Sequence, residues 1–157
     1  MQLSGFNVVV LKKTGKPIEL CFYLDNEDHV ELREPNEDLL KSESIQELLN
    51  GIKKSFRDPW EEGNDLDAIC EWDFDHDYEK FLRQMSKCKI DQISEVIVLT
   101  NTEQWGGDRD YSWIRYNLID KTIKRDSQKG ICKNHLKTEE ASPTVHEIID
   151  SLIRNEN

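Results

Sequence analysis

The longest uninterrupted aliphatic runs in this 157-residue sequence are Val8 to Leu11 and Val96 to Leu99. Both fall far short of the roughly 20 residues that a bilayer-spanning helix needs. There is no CxxC pair, and Cys21, Cys70, Cys88 and Cys132 are widely separated. They read as reduced thiols, with Cys21 and Cys70 as small buried hydrophobes inside apolar-patterned segments. GxSxG, P-loop and GxGxxG motifs are all missing, so nucleophilic hydrolysis and nucleotide binding have no sequence support. The opening Met-Gln-Leu-Ser-Gly-Phe lacks a basic region followed by an apolar core, which makes a cytoplasmic location the expectation. Hydrophobic content is only 36%, but four Trp, four Tyr and five Phe are enough to organise a core. One domain is the economical reading at this length.

The most informative absence is local. From Asp58 to Glu79 there is no Lys or Arg, while Asp58, Glu61, Glu62, Asp65, Asp67, Glu71, Asp73, Asp75, Asp77 and Glu79 supply ten carboxylates. Removing those ten from the 32 acidic residues leaves 22 against 21 Lys plus Arg, so the net charge of −11 becomes −1 elsewhere. Charge concentrated in this way makes a directional field that attracts a basic partner or a cation.

Within that stretch, residues 70–78 alternate strictly. Glu71, Asp73, Asp75 and Asp77 hold one parity, and Cys70, Trp72, Phe74, His76 and Tyr78 the other. In an extended strand the aromatic set would face the core and the carboxylates would line up outside, roughly 6.5 Å apart. That interval is close to the phosphate spacing along a nucleic-acid strand, so such a row suits a groove built for nucleic acid. The alternative is equally open: Asp and Glu are depleted in strands, and Asp75 or Asp77 can serve as the N-cap of a following helix beside a solvated loop.

The rest of the chain reads as follows. Strands are expected at 6–11 and 18–24, separated by the turn Lys12-Lys13-Thr14-Gly15-Lys16-Pro17, and a third at 29–32 completes an opening β-meander. Residues 34–43 are polar and read as a loop. Ser44 with Glu47 forms a capping box for a first helix whose face is Ile45, Leu48, Leu49, Ile52 and Phe56, ended by Asp58-Pro59. A second helix spans about 77–88, with Tyr78, Phe81, Leu82 and Met85 on one face. A short buried strand at 96–100 leads to the loop 101–110, in which Trp105 beside Gly106-Gly107 is either a binding tip or a ring folded back on the sheet. Residues 111–119 read as a long strand paired with 121–125 across Asp120, and 127–140 as irregular. Ser142-Pro143 opens a terminal helix bearing Val145, Ile148, Ile149, Leu152 and Ile153. The sum is one α+β domain, mostly antiparallel, with about six or seven strands and about three helices.

Chemistry-bearing clusters are sparse. Asp73, Asp75, His76 and Asp77 crowd oxygen ligands beside an imidazole, which suggests a metal-dependent hydrolase. An EF-hand loop begun at Asp73 would need Gly and Glu where Tyr78 and Gln84 stand. Cys132 and His135 are spaced like zinc ligands but have no second pair. Lys121, Lys124, Arg125, Lys129, Lys133 and Lys137 make the C-terminal third locally positive, yet a pI near 4.8 argues against direct nucleic-acid binding. No cofactor is implied.

A small, acidic single domain without catalytic motifs resembles the immunity proteins that bacteria make to neutralise toxic nucleases. The resemblance is one of size and charge. It implies a non-enzymatic inhibitor that forms a tight complex with a basic toxin domain. In that reading the partner-binding surface comprises Trp60, Glu61, Glu62, Asp65, Asp67, Glu71, Asp73, Asp75, Asp77 and Trp105, aromatics supplying anchors and carboxylates steering association. An acidic adaptor with a different partner is the other non-enzymatic reading.

Overall fold

The computed structural model describes residues 4–24, 30–57, 76–103 and 109–131. They form a five-stranded antiparallel sheet in the order β2-β1-β5-β6-β7, from β1 (Ser4–Lys12), β2 (Ile18–Leu24), β5 (Ile93–Glu103), β6 (Arg109–Asn117) and β7 (Thr122–Ile131). A two-stranded ladder joins β3 (Glu31–Leu32) to β4 (Phe56–Arg57). Two α-helices are described, α1 (Ile45–Lys53) and α2 (His76–Ser86), both within the long crossover between β2 and β5. The α+β, mostly antiparallel expectation holds, with two helices among the described residues rather than about three. The expected terminal helix beyond Ser142-Pro143 lies outside them. None of the described helices is long and apolar enough to cross a membrane.

Sequence explains why β1, β5 and β6 are central. Val8, Val9 and Val10 are all fully buried, so β1 is covered on both faces, and β-branched residues suit such a position. On one face Phe6, Val8, Val10, Val96, Val98, Ile114 and Tyr116 meet Leu48 and Ile52 of α1 and Phe81 and Met85 of α2. Burial of side chains of this size stabilises by about 1.5–3 kcal/mol each. On the other face Val9, Ile97, Leu99, Tyr111 and Trp113 are also buried. There the buried Asn101 side chain donates to Asn7 Oδ1 at 3.3 Å, joining the two central strands by a polar pair. The β7 edge carries Lys124 and Arg125, charges that discourage edge-to-edge pairing.

Several boundaries differ from the sequence expectation. The chain opens with a β1–β2 hairpin and not a meander: β3 pairs with β4, in the register Glu31↔Arg57 and Leu32↔Phe56. The burial of Val30 and Phe56 draws the third strand to the end of α1. α1 itself stops at Lys53, so Phe56 reaches the core from β4 and not from the helix face. Its start is as expected, with Ser44 Oγ accepting from Glu47 N at 3.1 Å, while Glu47 Oε2 accepts from Glu43 N at 2.7 Å. Within the expected 34–43 loop, a 3-10 turn at Glu37–Lys41 buries Leu39 and Leu40. The expected short strand at 96–100 is the middle of an 11-residue β5, whose polar ends pair with β1 on one side and β6 on the other. β7 continues to Ile131, through residues expected to be irregular, because β6 supplies a backbone ladder along its length.

Candidate functional site

Of the ten residues assigned to a partner-binding surface, Trp60, Glu61, Glu62, Asp65, Asp67, Glu71, Asp73, Asp75 and Trp105 lie outside the described residues. Asp77 is inside, in the first turn of α2. The residues that frame the acidic stretch are well defined.

At its entry, Phe56 is fully buried and its ring packs on Phe6 with centroids 4.9 Å apart. The next residue, Arg57, donates from Nε at 3.0 Å and from Nη2 at 2.6 Å to Glu31 Oε2 across the β3–β4 ladder. Arg33 N donates to Ser55 O at 2.8 Å and Arg33 Nε to Phe56 O at 3.3 Å. Chain exit from the core is therefore held by one aromatic contact and a set of charge-assisted bonds immediately before Asp58.

At the far end, α2 is seated by Tyr78, Phe81 and Met85, all buried at helical spacing, with Leu82 partly buried beside them. This corrects the extended reading of 70–78 at its C-terminal end. His76, Asp77 and Tyr78 are helical, because the 3.6-residue period of Tyr78, Phe81 and Met85 buries more than the period-two pattern would. A carboxylate row cannot continue as a strand through Asp77. The first turn of α2 instead contains Asp77 and Glu79, where negative charge is favoured by the unsatisfied N–H groups of a helix N-terminus.

Strand register relates this helix to the ends of the sheet. Ser4 pairs with Leu24 and with Thr102, and Thr102 pairs with Asp110, so these residues share one end of the sheet. β5 ends and β6 begins at that end, at the Glu103↔Arg109 pair. α2 packs on β2, and Gln84 in its last turn, with Lys87 just beyond it, lines a cleft with Lys16, Pro17 and Ile18 at the opposite end. The first turn of α2 is consequently directed back toward the Leu24 end, where β5 ends and β6 begins.

The metal-hydrolase reading finds nothing to build on among the described residues, which contain no group of three or more His, Cys, Asp or Glu placed to hold an ion. Asp73 and Asp75 lie outside them, as do His29, Cys132, His135 and His146. Cys88 is a free, partly exposed thiol whose Sγ donates to Gln84 O at 3.5 Å. The basic C-terminal third is partly engaged within the fold: Lys121 Nζ donates to Leu40 O at 2.8 Å, and Arg125 pairs with Glu34 at 2.9 Å.

Comparison of the chain with protein-family models, with curated proteins and with solved structures finds no match.

Proposed function

We propose that this protein is an acidic binding and inhibitory protein, one that docks a carboxylate-rich, aromatic-flanked surface into a basic cleft of another protein, as an immunity protein does with a nuclease toxin. The observation that carries the reading is the charge distribution: ten carboxylates and no Lys or Arg between Asp58 and Glu79, in a chain otherwise near neutrality. One feature of the frame supports it. The stretch is tethered at both ends to buried side chains, Phe56 and Tyr78, so the charges are tied to a folded body. Acidic groups then increase the association rate and select the sign of the partner, while Trp60 and Trp105 serve as anchors.

The test is affinity purification of the tagged protein from its native cell with mass spectrometry, in parallel with an Asp73→Asn/Asp75→Asn/Asp77→Asn variant. A basic protein retained by the wild type and lost with the variant is the expected result. Equal retention by both excludes this surface as the interface, and retention of nothing basic by either removes the inhibitor reading.

A further inference from the structure

A second charged feature lies at the other end of the sheet and has the opposite sign. The β1–β2 turn, the C-terminal end of α2 and the 3-10 turn at Ile90–Gln92 enclose a cleft of about 600 Å³. Among the described residues its lining includes Lys12, Lys13, Lys16 and Lys87 against a single carboxylate, Asp91. Among the described residues none of these four lysines takes part in an ion pair, whereas arginines 57, 115 and 125 each hold a glutamate. Four lysines thus line one concavity with their charge unused in ion pairs among the described residues. In a chain of net charge −11 this is a local reversal of the field.

The walls of the cleft are fixed before any ligand arrives. Lys13 N donates to Gln92 O at 2.8 Å, tying the hairpin turn to the 3-10 turn. Gln92 Oε1 in turn accepts from Lys89 N at 2.8 Å, which holds that side chain by its oxygen. Cys88 N donates to Met85 O at 3.0 Å and closes the end of α2. Gly15 adopts a φ of 93°, and a Cβ there would lie 3.5 Å from Lys12 Nζ, so the Lys12 ammonium folds over the turn. A β-bulge between Leu11 and Lys12 shifts the register against β5 at the cleft's edge; bulges of this kind re-aim side chains.

We propose that this cleft binds an oligophosphate, a compact anion with several adjoining phosphate groups. Lysine is a phosphate ligand by point charge, and four of them opposed by one carboxylate match a ligand of several negative charges better than a single carboxylate or sulfate. The volume is that of a small-molecule site. Among the described residues its lining holds no aromatic ring on which a nucleobase could stack, so the recognition argued from it is of the phosphate chain. The site is independent of the acidic stretch, and either proposal can fail without the other.

Inorganic tripolyphosphate is the probe. Isothermal titration at about 0.15 M salt should show saturable one-to-one binding to the wild type. Affinity should fall by at least about tenfold in a Lys12→Gln/Lys16→Gln/Lys87→Gln variant whose circular dichroism is unchanged. A Lys53→Gln/Lys54→Gln variant, altered at the end of α1, should bind as the wild type does, and sulfate should bind far more weakly than tripolyphosphate. The proposal is overturned if tripolyphosphate does not saturate the wild type at millimolar concentration, or if both variants lose affinity equally. It is also overturned if the wild type self-associates through these lysines without binding oligophosphate, which would assign the cleft to the acidic stretch of a second copy.

Discussion

The backbone N–H of Asn36 donates to the hydroxyl of Tyr116 at 2.9 Å, across 80 residues of sequence. This bond ties the start of the 3-10 turn, and with it the approach to α1, to a central strand of the sheet. Burial raises the Tyr116 hydroxyl above its ordinary pKa of 10.0, against the opposing pull of the Asn36 N–H, the Ser55 hydroxyl and the charge of Arg125. A raised tyrosine pKa means that the folded state keeps its proton while the unfolded state gives it up. The contribution to stability is therefore complete below about pH 10 and declines as pH rises beyond it. Tyr116→Phe should cost about 1–2 kcal/mol at neutral pH, and its denaturant midpoint should fall less steeply than that of the wild type above pH 10. Parallel curves for the two proteins in alkali would contradict this.

Gly51 offers a case in which helix propensity and packing oppose each other. A Cβ built at Gly51 meets three Leu39 side-chain atoms at 3.2, 3.2 and 3.3 Å, and Leu39 is buried with 1% exposure. Ala in place of a mid-helix Gly is worth up to about 1 kcal/mol in propensity, while overpacking a core typically costs about 1–3 kcal/mol. Leu39 is enclosed and cannot move into solvent, so packing wins. Gly51→Ala should lower stability by about 1 kcal/mol, and Gly51→Ala combined with Leu39→Val should recover part of the loss. A more stable single variant by urea denaturation would show that Leu39 yields.

Ion pairs in this fold should rank by exposure. Arg115 donates to Glu95 at 2.7 Å with side chains 28% and 15% exposed, whereas Arg125 meets Glu34 at 2.9 Å with 42% and 90% exposed. The second pair loses most of its attraction to solvent screening. Double-mutant cycles should give a coupling of about 1 kcal/mol for Arg115–Glu95 and close to zero for Arg125–Glu34, with both shrinking in high salt. A larger coupling at Arg125–Glu34 would show that distance outweighs screening here.

How much of this was readable from sequence depends on whether the signal was local. The Val8 to Leu11 run, the Ser44 cap and the spacing of Tyr78, Phe81 and Met85 each declare their element within a few residues, and each is found where its pattern places it. The extent of β5 and β7 was not readable, because Glu103 or Gln128 becomes part of a strand through pairing with a partner, and pairing leaves no mark on side-chain periodicity. Leu39 and Leu40 were missed as core for a related reason: a single 3-10 turn is too short to show a period. The lysine cleft required joining Lys12 to Lys87 through the packing of α2 on β2. For the acidic stretch the reverse holds, since its charge is legible in sequence while the fold defines only its two ends.

Concentrated charge should also carry a stability cost that separates the members of the acidic stretch. Like charges held close together repel, and neutralising some of them relieves the folded state more than the expanded one. Asp65→Asn/Asp67→Asn/Asp73→Asn should therefore raise the melting temperature at low ionic strength, with the gain vanishing near 1 M salt, where the screening length is about 3 Å. Asp77→Asn should behave oppositely. Asp77 lies in the first turn of α2, where a negative charge stabilises by about 0.3–1 kcal/mol, so its neutralisation forfeits that contribution and relieves only a fraction of the repulsion. Calorimetric melting of the two variants across a salt series makes the comparison. A triple variant less stable than the wild type at low salt would mean that those carboxylates are engaged within the fold, and would count against their being held for a partner.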